Sequence, residues 1–304
     1  MPTITDLTAL TAVDRADYLP IVDDSADTTK KATITSLGES LGIAGLAGGR
    51  LSVVSGNSVG EGSAAGTLYY VPHAHDKIAL WDGTNWSPVT FTERSLALSV
   101  TSGSVYDVFG YLNAGVLALE TLVWTNTTTR ATAITQTNGV RHKTGDQTRR
   151  YLGTIYATGT DQTSDANAAR CVWNNDNRIT RKLAASEGTS HTHNSTVRAW
   201  NNTTTGTRVE FVMGQQDDRP LVGVWSDFTP GASVTGQVAI QIDASTMPTL
   251  PFLASVGTRL ASQCLSVPGA GANPIGYHYY QCVEASSGGT TTFSYMGIDG
   301  TIRA

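Results

Sequence analysis

Four of the six histidines stand in two His-x-His pairs, His73-Ala74-His75 and His191-Thr192-His193. On a β-strand, residues i and i+2 project to the same side, so each pair could offer two imidazoles to a divalent metal. One chain supplies too few ligands, whereas a threefold axis would bring six. The plainer expectation is exposed loop histidines, and no metal ligand is assigned. A second pattern, Gly56-Asn57-Ser58-Val59-Gly60, has the G-x-S-x-G form of a nucleophilic serine on a strained strand-to-helix turn. The following Glu61-Gly62-Ser63-Ala64-Ala65-Gly66 holds two glycines in six residues and starts a helix poorly. The match is therefore expected to be chance in a chain rich in Gly and Ser.

Paired carboxylates for glycoside cleavage do not stand out. Asp217-Asp218 beside Arg219-Pro220 has the form of a charged turn. Asp161 and Asp165 fall in a Thr/Ser/Asn stretch without the glycine and closing glutamate of a calcium loop. Arg149-Arg150, Arg178 and Arg181 are too few for a phosphate site and are expected to be interface or sheet-edge charges. Tyr277, His278, Tyr279 and Tyr280 could line a glycan platform, but a strand alternating between core and surface explains them as well and is preferred. Cys171, Cys264 and Cys282 contain no C-x-x-C pair. A Cys264–Cys282 bridge is conceivable in an extracellular particle, while small buried thiols are the expectation. No catalytic, cofactor-binding or metal residue is assigned, and an enzyme is not expected.

The elements that must position these residues are strands. Only 15% of the 304 residues are charged, Gly numbers 31 and threonine is abundant, a composition of strands and turns. The net charge of −5 comes without the basic stripe that nucleic acid requires. No apolar run approaches the roughly 18 residues of a membrane span, and no secretory signal is expected at the N-terminus. Leu19 to Val22 and Lys31 to Thr35 predict two short strands around an Asp/Ser-rich turn, and Ser36 with Glu39 is spaced as a capping box opening a helix. Residues 42–49, Gly-Ile-Ala-Gly-Leu-Ala-Gly-Gly, have the composition of a flexible linker. Strands at 67–72 and 77–81 and a turn at Asp82-Gly83-Thr84-Asn85 follow, with Trp81 and Trp86 supplying most of the buried area.

Further strands are expected at 96–100, 105–112, 116–124, 151–156 and 171–174. In the second of these Tyr106, Val108 and Leu112 share one face and Val105, Phe109 and Tyr111 the other, so it is central in a sandwich or lies between subunits. Toward the C-terminus, Val209/Phe211/Met213 and Val238/Ile240/Ile242 alternate with polar residues, and strands are expected at 221–225, 277–283 and 291–295. The expected fold is all-β: a short N-terminal attachment segment followed by two antiparallel β-sandwich or jelly-roll-like domains. The divisions are 1–49, a hairpin region at 50–92, and sandwiches at 93–185 and 186–304.

The N-terminal pattern Ile4-Thr5-Asp6-Leu7-Thr8-Ala9-Leu10, Leu19-Pro20-Ile21-Val22-Asp23, Thr29-Lys30-Lys31-Ala32-Thr33 resembles the attachment segment of tailed-bacteriophage tail-fibre and appendage proteins. Ile78-Ala79-Leu80-Trp81-Asp82-Gly83-Thr84-Asn85-Trp86 is similar to segments of phage structural proteins. The resemblance implies a virion structural protein, a tail fibre or tail appendage docked on other virion proteins through residues 1–40. A head fibre or capsid decoration protein is the alternative, and a capsule depolymerase is the reading from another class. It also implies a homotrimer, assembly in the bacterial cytoplasm with release by lysis, and contact with a host surface glycan or protein. The His-x-His pairs resemble the axial metal sites of some trimeric fibre tips. Those tips carry several pairs in a thin needle, whereas the two pairs here flank an ordinary domain.

Overall fold

The computed structural model describes residues 18–23, 28–33, 42–203, 206–216, 220–243, 253–256, 260–266 and 275–304. The chain is all-β: helix among the described residues is confined to two 3-10 turns, Ile43–Gly45 and Trp200–Asn202. No described helix is long and apolar enough to cross a membrane.

Strands β1 (Tyr18–Asp23) and β2 (Thr28–Thr33) pair antiparallel, Tyr18 opposite Thr33. The first covers the expected Leu19 to Val22, whereas the second starts at Thr28, ahead of the expected Lys31; the Asp/Ser turn at 24–27 and the helix expected from Ser36 and Glu39 lie outside the described residues. Next come β3 (Gly49–Ser52), β4 (Gly62–Ala65), β5 (Thr67–Pro72), β6 (Lys77–Trp81), β7 (Trp86–Thr90) and β8 (Arg94–Ala97). A three-stranded sheet runs β3-β5-β8, and β6 with β7 makes a hairpin. Its turn is closed by Asp82, whose Oδ1 accepts from the N–H groups of Thr84 at 2.9 Å and Asn85 at 2.8 Å. Trp81 and Trp86 then meet edge to face at 5.5 Å.

Of the glycines of 42–49, Gly48 and Gly49 are closely packed, whereas a Cβ on Gly42 or Gly45 would meet nothing within 4 Å. Gly48 donates its N–H to the Lys77 carbonyl at 2.8 Å and accepts from the His73 and Ala74 N–H groups at 2.8 and 2.9 Å. A Cβ on Gly48 would lie 2.1 Å from the His75 carbonyl oxygen, and one on Gly49 2.5 Å from the Tyr70 ring. Glycine is required here for close approach of backbones, the other use of a missing side chain.

The middle of the chain gives β9 (Val105–Asn113), β10 (Val116–Val123), β11 (Ile134–Thr137), β12 (Val140–Lys143), β13 (Asp146–Gly159), β14 (Gln162–Ala166), β15 (Ala169–Arg170), β16 (Val172–Asn174) and β17 (Thr180–Glu187). The remainder gives β18 (His191–His193), β19 (Arg198–Ala199), β20 (Arg208–Met213), β21 (Leu221–Pro230), β22 (Thr235–Ile242), β23 (Leu253–Val256), β24 (Leu260–Ser266), β25 (Gly276–Ser286) and β26 (Thr291–Arg303). One sheet runs β10-β9-β13-β14-β15-β20-β25-β22-β23, its halves joined where β15 pairs parallel with β20. A second sheet runs β17-β26-β21-β24. Residues 93–185 and 186–304 thus contribute to the same sheets.

Two apolar cores lie on opposite sides of β9. Val105 and Phe109 join Trp173, Phe211, Val224 and Ile298 between the two large sheets, while Tyr106 and Val108 join Leu51, Leu68, Ile78 and Leu80 beneath the N-terminal sheet. Each such side chain contributes roughly 1.5–3 kcal/mol by burial. Both apolar faces of β9 are therefore covered within one chain, and they give no argument for a subunit interface.

Candidate functional site

The densest cluster of charge is internal. Asp165, on β14, accepts from Arg170 Nη1 at 3.0 Å and from Arg181 Nη2 at 3.1 Å. Arg170 also donates to Glu61 Oε1 at 2.6 Å, and Arg181 to the Val59 carbonyl at 2.6 Å. Beside them Arg50 donates to the carbonyls of Ser58 at 3.1 Å, Ala304 at 3.0 Å and Asn177. Three arginines and two carboxylates thus tie β3 and the turn after it to β14, β15, β17 and the end of β26. Burial pushes the Asp165 carboxyl up, while Arg181 and Arg170 pull it down. The hydrogen bond from Arg170 holds Glu61 below its ordinary value. Burial, helped by the neighbouring Arg181 charge, pushes Arg50 down to about 10.

Two smaller knots repeat the device. Arg130 spans Asp107 at 2.8 Å, the Tyr151 hydroxyl at 3.1 Å and the Gly214 carbonyl, with its guanidinium 4.5 Å from the Trp124 ring. Glu284, fully buried on β25, accepts from Arg198 at 2.7 Å and faces His191 Nε2 at 2.6 Å. Buried charges demand such partners, and partners in this arrangement hold strands together.

The residues singled out by the sequence are mostly separated. His73 and His75 sit on a turn rather than a strand, so the i, i+2 argument fails for them. His73 Nδ1 lies 2.8 Å from Ser58 Oγ, an exposed contact that joins the G-x-S-x-G stretch to the first histidine pair. Burial, reinforced by the Arg50 charge, lowers the His73 pKa. No helix follows Ser58, and among the described residues no carboxylate bonds His73, so the setting of a nucleophile elbow is missing. His191 and His193 do lie on a strand, but His191 stacks on Phe293 at 5.6 Å and faces Glu284, and His193 Nε2 bonds the Thr196 carbonyl at 2.6 Å. Among the described residues no group of three or more His, Cys, Asp or Glu could hold a metal ion.

Tyr280 and His278 are buried, whereas Tyr277 stacks on Tyr156 at 3.8 Å and Tyr279 lies under Arg208 at 4.9 Å; β25 alternates as the mixed strand expected. Asp161 turns the β13–β14 hairpin with φ of 56°, and Asp165 is a strand residue rather than part of a loop. Arg150 and Arg181 are buried, not peripheral, because they donate to main-chain carbonyls at junctions: Arg150 reaches Ala79 at 2.8 Å. Arg149, by contrast, pairs with Glu120 at 2.9 Å, partly exposed. Cys171 and Cys282 are buried free thiols, so the Cys264–Cys282 bridge is not formed. Asp217 and Asp218, and residues 269–274, lie outside the described residues.

Sequence reasoning missed an exposed aromatic pair. Trp225 on β21 stacks on Tyr295 of β26 at 4.8 Å, on the outer face of the second sheet. The alternation of Val222 and Val224 with Trp225 was its only signal. A shallow groove of about 500 Å³ lies elsewhere, between residues 194–197, Gln237 and the β25–β26 turn at 285–288.

No protein-family model matches the chain, and comparison with curated proteins gives no match. Among solved structures, a particle of infectious bursal disease virus, Gx strain, overlaps at 12% identity and a TM-score of 0.26, over 80% of this chain and 64% of that one. The VP2 subviral particle of the same virus overlaps at 11% identity and 0.28, over 80% and 65%. Latent PorU of Porphyromonas gingivalis overlaps at 8% identity and 0.23, over 68% and 24%. The chain spans less than two thirds of the length of each, and overlaps of this quality carry no argument about its role.

Proposed function

We propose that the chain is a virion structural protein of a tailed bacteriophage: a homotrimeric tail fibre or tail appendage, fixed to the particle by residues 1–40 and without catalytic activity. The N-terminal residue pattern supports the docking end. The observation that carries the structural role is the Arg50–Asp165–Arg170–Arg181–Glu61 knot. It fastens residues 50–61 to strands from the rest of the chain, so a pull passed along the chain from an anchored N-terminus enters the body there. A head fibre or capsid decoration protein would use the same frame, and an electron cryo-microscopy map of the parent particle separates the two by where the chain sits.

Deleting residues 1–40 tests the reading. The truncated chain is expected to fold and to be missing from purified particles; its presence there would place attachment elsewhere. A fluorophosphonate probe tests the non-enzymatic part. Covalent labelling of Ser58, or release of oligosaccharide from host envelope, would overturn it.

A further inference from the structure

The outer face of the β17-β26-β21-β24 sheet carries an aromatic platform made possible by one missing side chain. Trp225 pairs in register with Gly297, and a Cβ there would lie 2.3–2.6 Å from the indole. The indole therefore closes over Gly297, which the missing Cβ alone allows. Tyr295 flanks the indole at 4.8 Å and 24° between planes. Although it covers Gly297 and stacks on Tyr295, Trp225 stays 42% exposed.

Polar groups on β17, β21 and β26 flank this apolar centre. Asp299 stands opposite Gly223, Asp227 opposite Tyr295, and Ser186 opposite Gly297. Lys182 and Asp299 pair at 3.3 Å, both exposed, so the rim offers donors and acceptors without net charge at that edge. Neighbouring positions on a sheet face stand roughly 5 Å apart across strands and roughly 7 Å along them. A six-membered sugar ring lying on the indole would place its hydroxyls over those groups. Its flat C–H face would meet the part of the indole that Gly297 and Tyr295 leave exposed.

We propose that Trp225, seated on Gly297 and flanked by Tyr295, is a stacking site for a neutral pyranose unit of a polysaccharide. A second copy of this chain fits the face less well. Subunit interfaces bury about 800 Å² per partner and are depleted of charge at their centre. The large exposed apolar side chains described on this face are Trp225 and Leu221, with the Lys182–Asp299 pair among them. A peptide added as a strand would use a sheet edge, and Trp225 lies on β21, between β26 and β24. That the polysaccharide belongs to a host surface rests on the virion reading; the stacking site does not.

The full-length chain is titrated with cellohexaose, maltohexaose, laminarihexaose and chitohexaose. Binding is followed by tryptophan fluorescence and by saturation-transfer NMR of the sugar C–H protons. At least one oligomer should bind saturably, Trp225→Ala should weaken that binding at least tenfold, and Gly297→Ala, which lifts the indole, should weaken it with the thermal midpoint within a few degrees of the parent. Binding by none of the four, or undiminished binding by Trp225→Ala, would overturn the proposal. So would sedimentation showing that Trp225→Ala changes the association state, since the face would then be a subunit contact. Incorporation of the Trp225→Ala chain into particles is scored separately: it tests the virion reading and is expected to be normal whichever way the sugar titration falls.

Discussion

Asp165 and Asp107 show how this chain uses its few charges. Each is a buried carboxylate whose desolvation is offset by arginine partners, Arg170 and Arg181 for one and Arg130 for the other, with the Thr154 hydroxyl adding a hydrogen bond to Asp107 at 2.8 Å. Removing one partner leaves a charge without full compensation, so Arg170→Met is expected to lower the unfolding free energy by about 3–5 kcal/mol, read from urea unfolding. Loss of less than about 1 kcal/mol would mean that the knot contributes little. The same cluster sets a pH dependence. The Glu61 carboxyl is held below its ordinary 4.5, so the stability it adds is present above that value and is lost as pH falls through its lowered folded pKa. Glu61 is about half exposed, which limits the effect to under about 1 kcal/mol. Glu61→Gln should therefore unfold more readily than the parent at pH 7, with the difference closing as pH drops below 4.5. A difference that widens in acid would contradict the assignment. Of these residues the sequence could have flagged Asp107, a lone charge in Val105-Tyr106-Asp107-Val108-Phe109 that must find a buried partner. It could not name Arg130, which the fold brings in from a separate segment.

Elements were legible where period and punctuation agreed. Alternation placed Val209, Phe211, Val238 and Ile240 in the core, and Asp82-Gly83 marked the β6–β7 turn. At Gly48 and Gly49 the linker expectation fails because glycine signals either conformational freedom or close packing, and only the neighbours decide which. The aromatic pair Trp225 and Tyr295 was illegible for a related reason: seventy residues separate its halves, and what aligns them is the β21–β26 register. The glycine distinction can be tested by insertion. A six-residue Gly-Ser insert after Gly42, where a Cβ would meet nothing within 4 Å, should leave the thermal midpoint within a few degrees of the parent. The same insert after Gly48 breaks the contacts to Lys77, His73 and Ala74 and separates Ala47 from Arg50. It should lower the midpoint well beyond that and expose Tyr70 to fluorescence quenchers. Equal effects of the two inserts would restore the linker reading.

At the scale of the molecule, the question is where association would come from. Strand β9 first suggested subunit packing, since it is apolar on both faces, yet each face meets a core built by the same chain. The large exposed apolar residues described in the body are Val59, Val116, Val123, Leu221 and Trp225, and they are scattered. Val116 and Val123 stand at the two ends of β10, Val59 on the turn after β3, and Leu221 and Trp225 on the second sheet. An obligate trimer needs a contiguous apolar patch on each subunit, with charge kept to the rim. The described residues of the body therefore offer little to hold three copies together, and the trimer contacts are expected outside them, in the N-terminal residues first. Sedimentation equilibrium of the full chain is expected to give a trimer, and a chain starting at Gly42 is expected to give a folded monomer with unchanged strand content by circular dichroism. A truncated chain that remains trimeric would move the interface into the β-body, with the β10 edge and its two valines the first surface to mutate. A monomeric full chain would remove the trimer while leaving the knot between residues 50–61 and the sandwich intact, because that knot is closed within one chain.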